Sequence, residues 1–204
     1  EKFKPVASSF NYMFLNKENV LPVYNRYKNA NYYVDYLIGK IINELKKSDL
    51  LENTVVIISA DHGEAFFEKG LYGHNHGFCE QEIKVPLVFY IPGYCHRKYV
   101  DITSHHDIVP TLMQIIGCKN QPGDYSHGIS LLDDAKRHFA VSCTWDEMAI
   151  IDRNSTVVVP LESYNVGGIR IYDSNYKELL GKQRGCPLIT LLPKLQKEIT
   201  RFLE

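Results

Sequence analysis

Thr54-Val55-Val56-Ile57-Ile58-Ser59-Ala60-Asp61-His62-Gly63-Glu64 is the stretch on which the fold turns. From Thr54 to Ser59 it is a β-branched run without polar alternation. That pattern predicts a strand buried on both faces, as in a parallel sheet flanked by helices. The run then empties into adjacent Asp and His followed by Gly. Open α/β sheets build their sites outside the carboxyl ends of strands.

On the upstream side, Ala30, Val34, Leu37, Ile38, Ile41, Ile42 and Leu45 recur at helical spacing. The spacing predicts a helix from about Leu21, with Pro22 tolerated in its first turn and Lys46-Lys47 favoured at its end. Ser48-Asp49 and Glu52-Asn53 break the period, so helix and strand together read as half a βαβ unit. Residues 1–20 show no clean period. Downstream, Val85–Ile91 reads as a second strand of the same buried kind, stopped by Pro92-Gly93. Asp107–Ile116 reads as a short helix capped by Asp107 and ended by Gly117. From about residue 139 the texture changes. Phe139–Thr144, Met148–Ile151, Ser155–Pro160 and Ile169–Asp173 are short strands, separated by Asp152-Arg153-Asn154 and Gly167-Gly168, which is meander texture. Leu191–Leu203 closes the chain as an amphipathic helix with Leu192, Leu195, Ile199, Phe202 and Leu203 on one face. The expected division is therefore an α/β portion over 1–138 and a small antiparallel β subdomain with its closing helix over 139–204.

Composition narrows the classes. With 45% hydrophobic and 23% charged residues in 204, the chain is globular. A net charge of -1 gives no basic excess for nucleic acid. The apolar runs are too short to span a bilayer. The five cysteines have no CxxC spacing, which argues against a zinc ribbon or a redox motif. Most of them are expected to be small core residues.

Two clusters offer chemistry. Asp61 and His62 present one hard oxygen and one imidazole nitrogen, a donor pair suited to a divalent ion. The other reading of Asp61 is a cap for a helix beginning near Glu64. Tyr72-Gly73-His74-Asn75-His76-Gly77 places two histidines in a Gly-flanked loop, where they can meet a metal or handle protons near neutral pH. The other reading is a polar surface loop.

Taken in order, these elements resemble the sulfatase branch of the alkaline-phosphatase-like superfamily. The likeness lies in a strand ending in Asp61-His62-Gly63-Glu64, a Gly73-His74 element thirteen residues beyond Asp61, Val85-Pro86-Leu87-Val88, and Ile91-Pro92-Gly93. It continues through Ser104-His105 with Asp107-Ile108-Val109-Pro110-Thr111-Leu112, Gly128-Ile129-Ser130-Leu131-Leu132, and Ile171-Tyr172-Asp173. Tyr24-Asn25-Arg26-Tyr27 and Tyr33-Val34-Asp35 are similar to membrane-anchored, periplasm-facing members.

The resemblance implies the C-terminal half of an alkaline-phosphatase-like α/β sandwich, plus a small antiparallel β subdomain with a C-terminal helix. It implies Asp61 and His62 as ligands of a divalent metal ion, manganese, zinc or calcium. His74 would contact the transferring group or protonate the leaving oxygen, with His76 as the second choice. Glu64 is read as a helix-start residue, and His105 and His106 as structural. The family nucleophile motif, Cys or Ser followed by x-Pro-x-Arg, is absent, since Cys186-Pro187-Leu188 has Pro at the wrong offset. The N-terminal acidic ligand is not found either. The expected activity is therefore metal-dependent sulfate ester hydrolysis by a longer, membrane-anchored, extracytoplasmic protein. This chain would supply part of the site, show little turnover alone, and expose apolar surface where the N-terminal half of the same protein would pack. The expected substrate is a sulfate or phosphate ester, including lipid-linked ones, and no nucleic acid is expected as a partner. Alternatives are a phosphate-ester hydrolase or lipid head-group phosphotransferase, and a non-catalytic protein that binds lipid or a partner.

Overall fold

A computed structural model describes residues 2–5, 11–134, 136–161, 168–181 and 185–202. The chain forms two compact units, Glu1–His96 and Arg97–Glu204.

In the first unit, α1 (Leu21–Lys47) runs where the spacing places it, with Pro22 in its first turn and Lys46 and Lys47 in its last. Ser48 ends it, its N–H donating back to Glu44 and Lys46 carbonyls. The stripe expected to face a core is largely uncovered. Val34, Leu37 and Ile41 are 51, 38 and 59% exposed. The start of the helix packs most closely: Val20 and Val23 form a small cluster with Phe66, joined by Leu15, Phe67 and Tyr72. The rings of Tyr24 and Tyr27 lie 4.9 and 5.1 Å from that of Phe66.

β1 (Val56–Ser59) and β4 (Leu87–Tyr90) form the strands expected around residues 54–59 and 85–91. They pair with each other antiparallel, Val56 opposite Tyr90 and Ser59 opposite Leu87, which corrects the parallel expectation. A parallel return needs a crossover, usually a helix. The chain between them instead folds into the β2 (Ala65–Phe66) and β3 (Tyr72–Gly73) hairpin and the one-turn helix α2 (Glu80–Ile83). β4 therefore comes back alongside β1 in the opposite sense. Nor are the two strands buried on both faces: Val88 and Tyr90 are exposed and β1 is half-buried.

In the second unit, α3 (Ile108–Ile115) follows a 3-10 turn at His105–Asp107. Its cap differs from the expectation. Ser104 opens a capping box, and Asp107 sits at the third position, accepting the Ser104 N–H at 2.8 Å. Gly117 ends the helix in the left-handed region as expected (φ 81°). The meander β5 (Ala140–Cys143), β6 (Glu147–Ile151), β7 (Ser155–Pro160) and β8 (Arg170–Asp173) is antiparallel throughout. Its register aligns Val141, Ile150, Val157 and Ile171 in one row. α4 (Gly185–Thr200) lays Leu191 and Leu195 on that row. α4 begins earlier than the predicted Leu191 and carries Pro193 in its interior. Gly167 and Leu203 lie outside the described residues.

Two stretches singled out in the sequence lock together here. Gly128 passes so close to His106 that a Cβ would sit 1.8 Å from its carbonyl oxygen. The Ile129 N–H donates to Asp107 Oδ1, and the Leu131 N–H donates to Thr111 Oγ1 (both 2.9 Å). Arg137 closes the knot on Asp107 Oδ1 at 2.5 Å, with Asp107 fully buried and Arg137 nearly so. The cysteines depart from the core reading: Cys79 is buried, and Cys95, Cys118, Cys143 and Cys186 are exposed and free, in loops or at element ends.

Candidate metal and histidine site

β1 delivers Asp61 and His62 just past its carboxyl end, and the turn they occupy is held by α2. The Gly63 N–H donates to the Glu82 carbonyl at 2.7 Å. A Cβ on Gly63 would lie 2.1 Å from the Gln81 carbonyl oxygen. Glycine is required here by close backbone approach, not by a left-handed φ. Glu82 is itself buried. Its carboxylate accepts the His76 N–H at 3.1 Å and the Cys79 thiol at 3.7 Å, so one side chain braces the histidine loop from beneath.

The Asp61 carboxylate projects into solvent, with its side chain 88% exposed. Backbone N–H groups of His62 and of Asp61 itself hold its carboxyl below the usual range, helped by the nearby imidazole of His62. It is therefore a carboxylate, ready to bind a cation, at neutral pH. His62 Nδ1 lies 2.7 Å from the Gly63 carbonyl, which can only accept, so Nδ1 carries the proton and Nε2 is left with its lone pair. That Nε2 stands 3.6 Å from Asp61 Oδ2, a separation two ligands of one ion can share.

The hairpin supplies the rest. β2 and β3 pair Ala65 with Gly73 and Phe66 with Tyr72, and the next position outward brings Glu64 opposite His74. Glu64 Oε2 lies 2.8 Å from His74 Nδ1. The His74 ring stacks on that of His62, centroids 4.1 Å apart at 29°. His62, Glu64 and His74 each offer a donor atom, and these lie within 4.8 Å of one another. Asp61 stands beside this trio. Of the expected residues, Asp61, His62 and His74 thus come together. The ring of His76 lies on the Gly73 side of the loop, 3.6 Å from where a Gly73 Cβ would be.

Glu64 is the residue that sequence reasoning misplaced. No helix begins there; it precedes β2 and faces His74. Only the hairpin register could have shown this, and a two-residue strand gives almost no periodic signal. The mixed oxygen and imidazole donor set suits a divalent ion.

The Sulfatase family model matches residues 1–118. The inner membrane protein YejM of Salmonella typhimurium is 27% identical over 96% of this chain and 32% of its own length. The chain thus spans about a third of that relative. Phosphoethanolamine transferase EptA of Escherichia coli O157:H7 is 29% identical over 48% of the chain and 18% of its own length. The solved structure of BT1596, a 2-O GAG sulfatase, superposes with a TM-score of 0.62, covering 82% of this chain and 40% of that one at 20% identity, which speaks to the fold. Members of this superfamily generally use divalent metal ions. The fold has the alkaline-phosphatase-like architecture, and this chain belongs to the Sulfatase family.

Proposed function

We propose that this chain supplies part of the active site of a metal-dependent ester-cleaving enzyme, with sulfate ester hydrolysis as its reaction. The observation that carries this reading is the convergence of Asp61, His62 and His74 from two separate elements at the end of β1. Asp61 and His62 would hold the divalent ion, which when bound neutralises charge on the non-bridging oxygens of the ester. His74 would face the leaving oxygen through Nε2 and exchange a proton there, with its Nδ1 already committed to Glu64. His76 stands as the second choice, because its backbone is tied to Glu82 and its ring lies beyond Gly73. The nucleophile would come from outside this chain, so the chain alone would turn over little substrate.

A second reading, transfer of a phosphoryl head group on lipid, is supported by the match to EptA. The match to YejM over 96% of the chain supports a membrane-anchored, extracytoplasmic parent. In this chain itself, no helix among the described residues is long and apolar enough to cross a membrane. The test is hydrolysis of p-nitrophenyl sulfate and p-nitrophenyl phosphate, with and without manganese, by the full-length protein and its His62→Ala variant. Metal-dependent turnover lost in the variant is expected, and the preferred ester separates the two chemistries. Turnover that survives both chelation and His62→Ala would overturn the metal assignment.

A further inference from the structure

We infer that Glu64 is a positioning residue that fixes both the tautomer and the orientation of His74. The inference rests on the reading of His74 as the group that faces the ester, and goes beyond it by naming what holds that ring.

Four observations converge. Glu64 is the cross-hairpin neighbour of His74 by register, so the contact is built into the β2–β3 pairing. Its carboxylate lies 2.8 Å from Nδ1 and keeps only 25% of its side chain exposed, whereas the exposed Asp61 carboxylate faces solvent. The backbone on either side of His74 is in the left-handed region, Gly73 at φ 91° and Asn75 at φ 63°. That is a fixed kink, which aims the side chain back across the hairpin. Finally, His62 Nδ1 is committed to the Gly63 carbonyl and His74 Nδ1 to Glu64, and the two rings stack at 4.1 Å. Both imidazoles therefore keep Nε2 for whatever occupies the site.

An ionised carboxylate has no proton to give, so the 2.8 Å contact requires the proton on His74 Nδ1. Unrestrained neutral histidine prefers the proton on Nε2, the opposite arrangement. Glu64 would thus convert the disfavoured tautomer into the resident one, as outer carboxylates do for functional histidines.

The test reads the tautomer directly, by long-range proton–nitrogen NMR correlation of the histidine rings at pH about 9, above the ordinary histidine range. The wild-type chain is compared with Glu64→Ala and Glu64→Gln. Wild-type His74 is expected in the Nδ1–H form. Glu64→Ala should move it to the Nε2–H form while His62, held by Gly63, stays Nδ1–H. Glu64→Gln, isosteric but able to turn its NH2 toward Nδ1 and donate, should also lose the Nδ1–H preference while keeping the shape of the side chain, which guards against a fold lost in the alanine variant. His74 found as Nε2–H in the wild type, or unchanged in Glu64→Ala, overturns the inference. So does equal loss of manganese affinity in both variants with the tautomer unchanged, which would make Glu64 a metal ligand. In the full-length protein, Glu64→Ala is expected to lower kcat by about 10- to 100-fold with little change in KM. A tautomer switch without any wild-type turnover would keep the positioning role and remove the catalytic reading of His74. Turnover indifferent to Glu64 would do the reverse.

Discussion

Gly63→Ala places one methyl group where the structure has no room for it. The added carbon would stand 2.1 Å from the Gln81 carbonyl oxygen and 3.0 Å from its carbon, both backbone atoms of α2. Neither can rotate away. Reaching even 3.0 Å from the oxygen requires the Asp61–Glu64 turn and α2 to separate by about 1 Å. That displacement stretches the 2.7 Å bond from the Gly63 N–H to the Glu82 carbonyl out of hydrogen-bonding range. Overpacking costs about 1–3 kcal/mol and the lost bond about 0.5–1.5 kcal/mol, so about 3 kcal/mol is expected. At 1.36 kcal/mol per decade, local opening becomes about two orders of magnitude more frequent. Amide hydrogen exchange reads this at Gly63 and at His76, whose N–H is held by the Glu82 carboxylate. Protection at both amides should fall together, and manganese affinity should fall with it. Unchanged exchange at Gly63 and His76 in a folded Gly63→Ala protein would refute the claim that close approach to α2 sets this turn.

Three further outcomes follow from the second unit. Asp107→Ala strips the partner from Arg137 in a buried setting and removes the acceptor of the Ile129 N–H, so a loss of about 3–5 kcal/mol in urea denaturation is expected. Leu195→Ala opens the cluster of Ile150, Val157, Ile171 and Leu191 and should cost about 2–5 kcal/mol, read by urea denaturation followed by far-ultraviolet circular dichroism. The third concerns pH. Burial, and then the neighbouring His127 and Arg137, hold the His106 imidazole below its ordinary value. The unfolded chain takes up its proton first as pH falls, so this group costs stability increasingly below pH about 6.5. His106→Asn should flatten the fall in denaturation midpoint between pH about 7 and about 5.

The parts legible in the sequence were those carried by long or periodic patterns. α1 begins at Leu21 and ends at Lys47, within a residue of the spacing argument. The four-stranded meander lies where short strands between turn residues place it, and its helix follows, starting six residues earlier than Leu191. Asp61, His62 and His74 stand near one another because a strand end and a hairpin deliver them. Strand direction was not legible. A β-branched run looks alike in a parallel sheet and in an antiparallel pair, and nothing in Val85–Ile91 says which way it returns. Burial was misread for a related reason. Periodicity shows which residues share a face, as in Val34, Leu37 and Ile41, but not what covers that face. Glu64 was read from the helix-dipole rule, although its role depends on a two-residue hairpin register. Glu82 and Gly63 act through close backbone contacts that no spacing encodes.

The most direct test of the central claim, that Asp61 and His62 hold a cation beside the ring of His74, is a manganese titration followed by paramagnetic broadening of the histidine ring resonances. It suits weak binding, which two strong ligands imply. The His62 and His74 ring signals are expected to broaden first, before those of His96 and His138, and His62→Ala should abolish the preference for His74. Broadening spread evenly over all histidines, or undiminished at His74 in His62→Ala, would contradict the site.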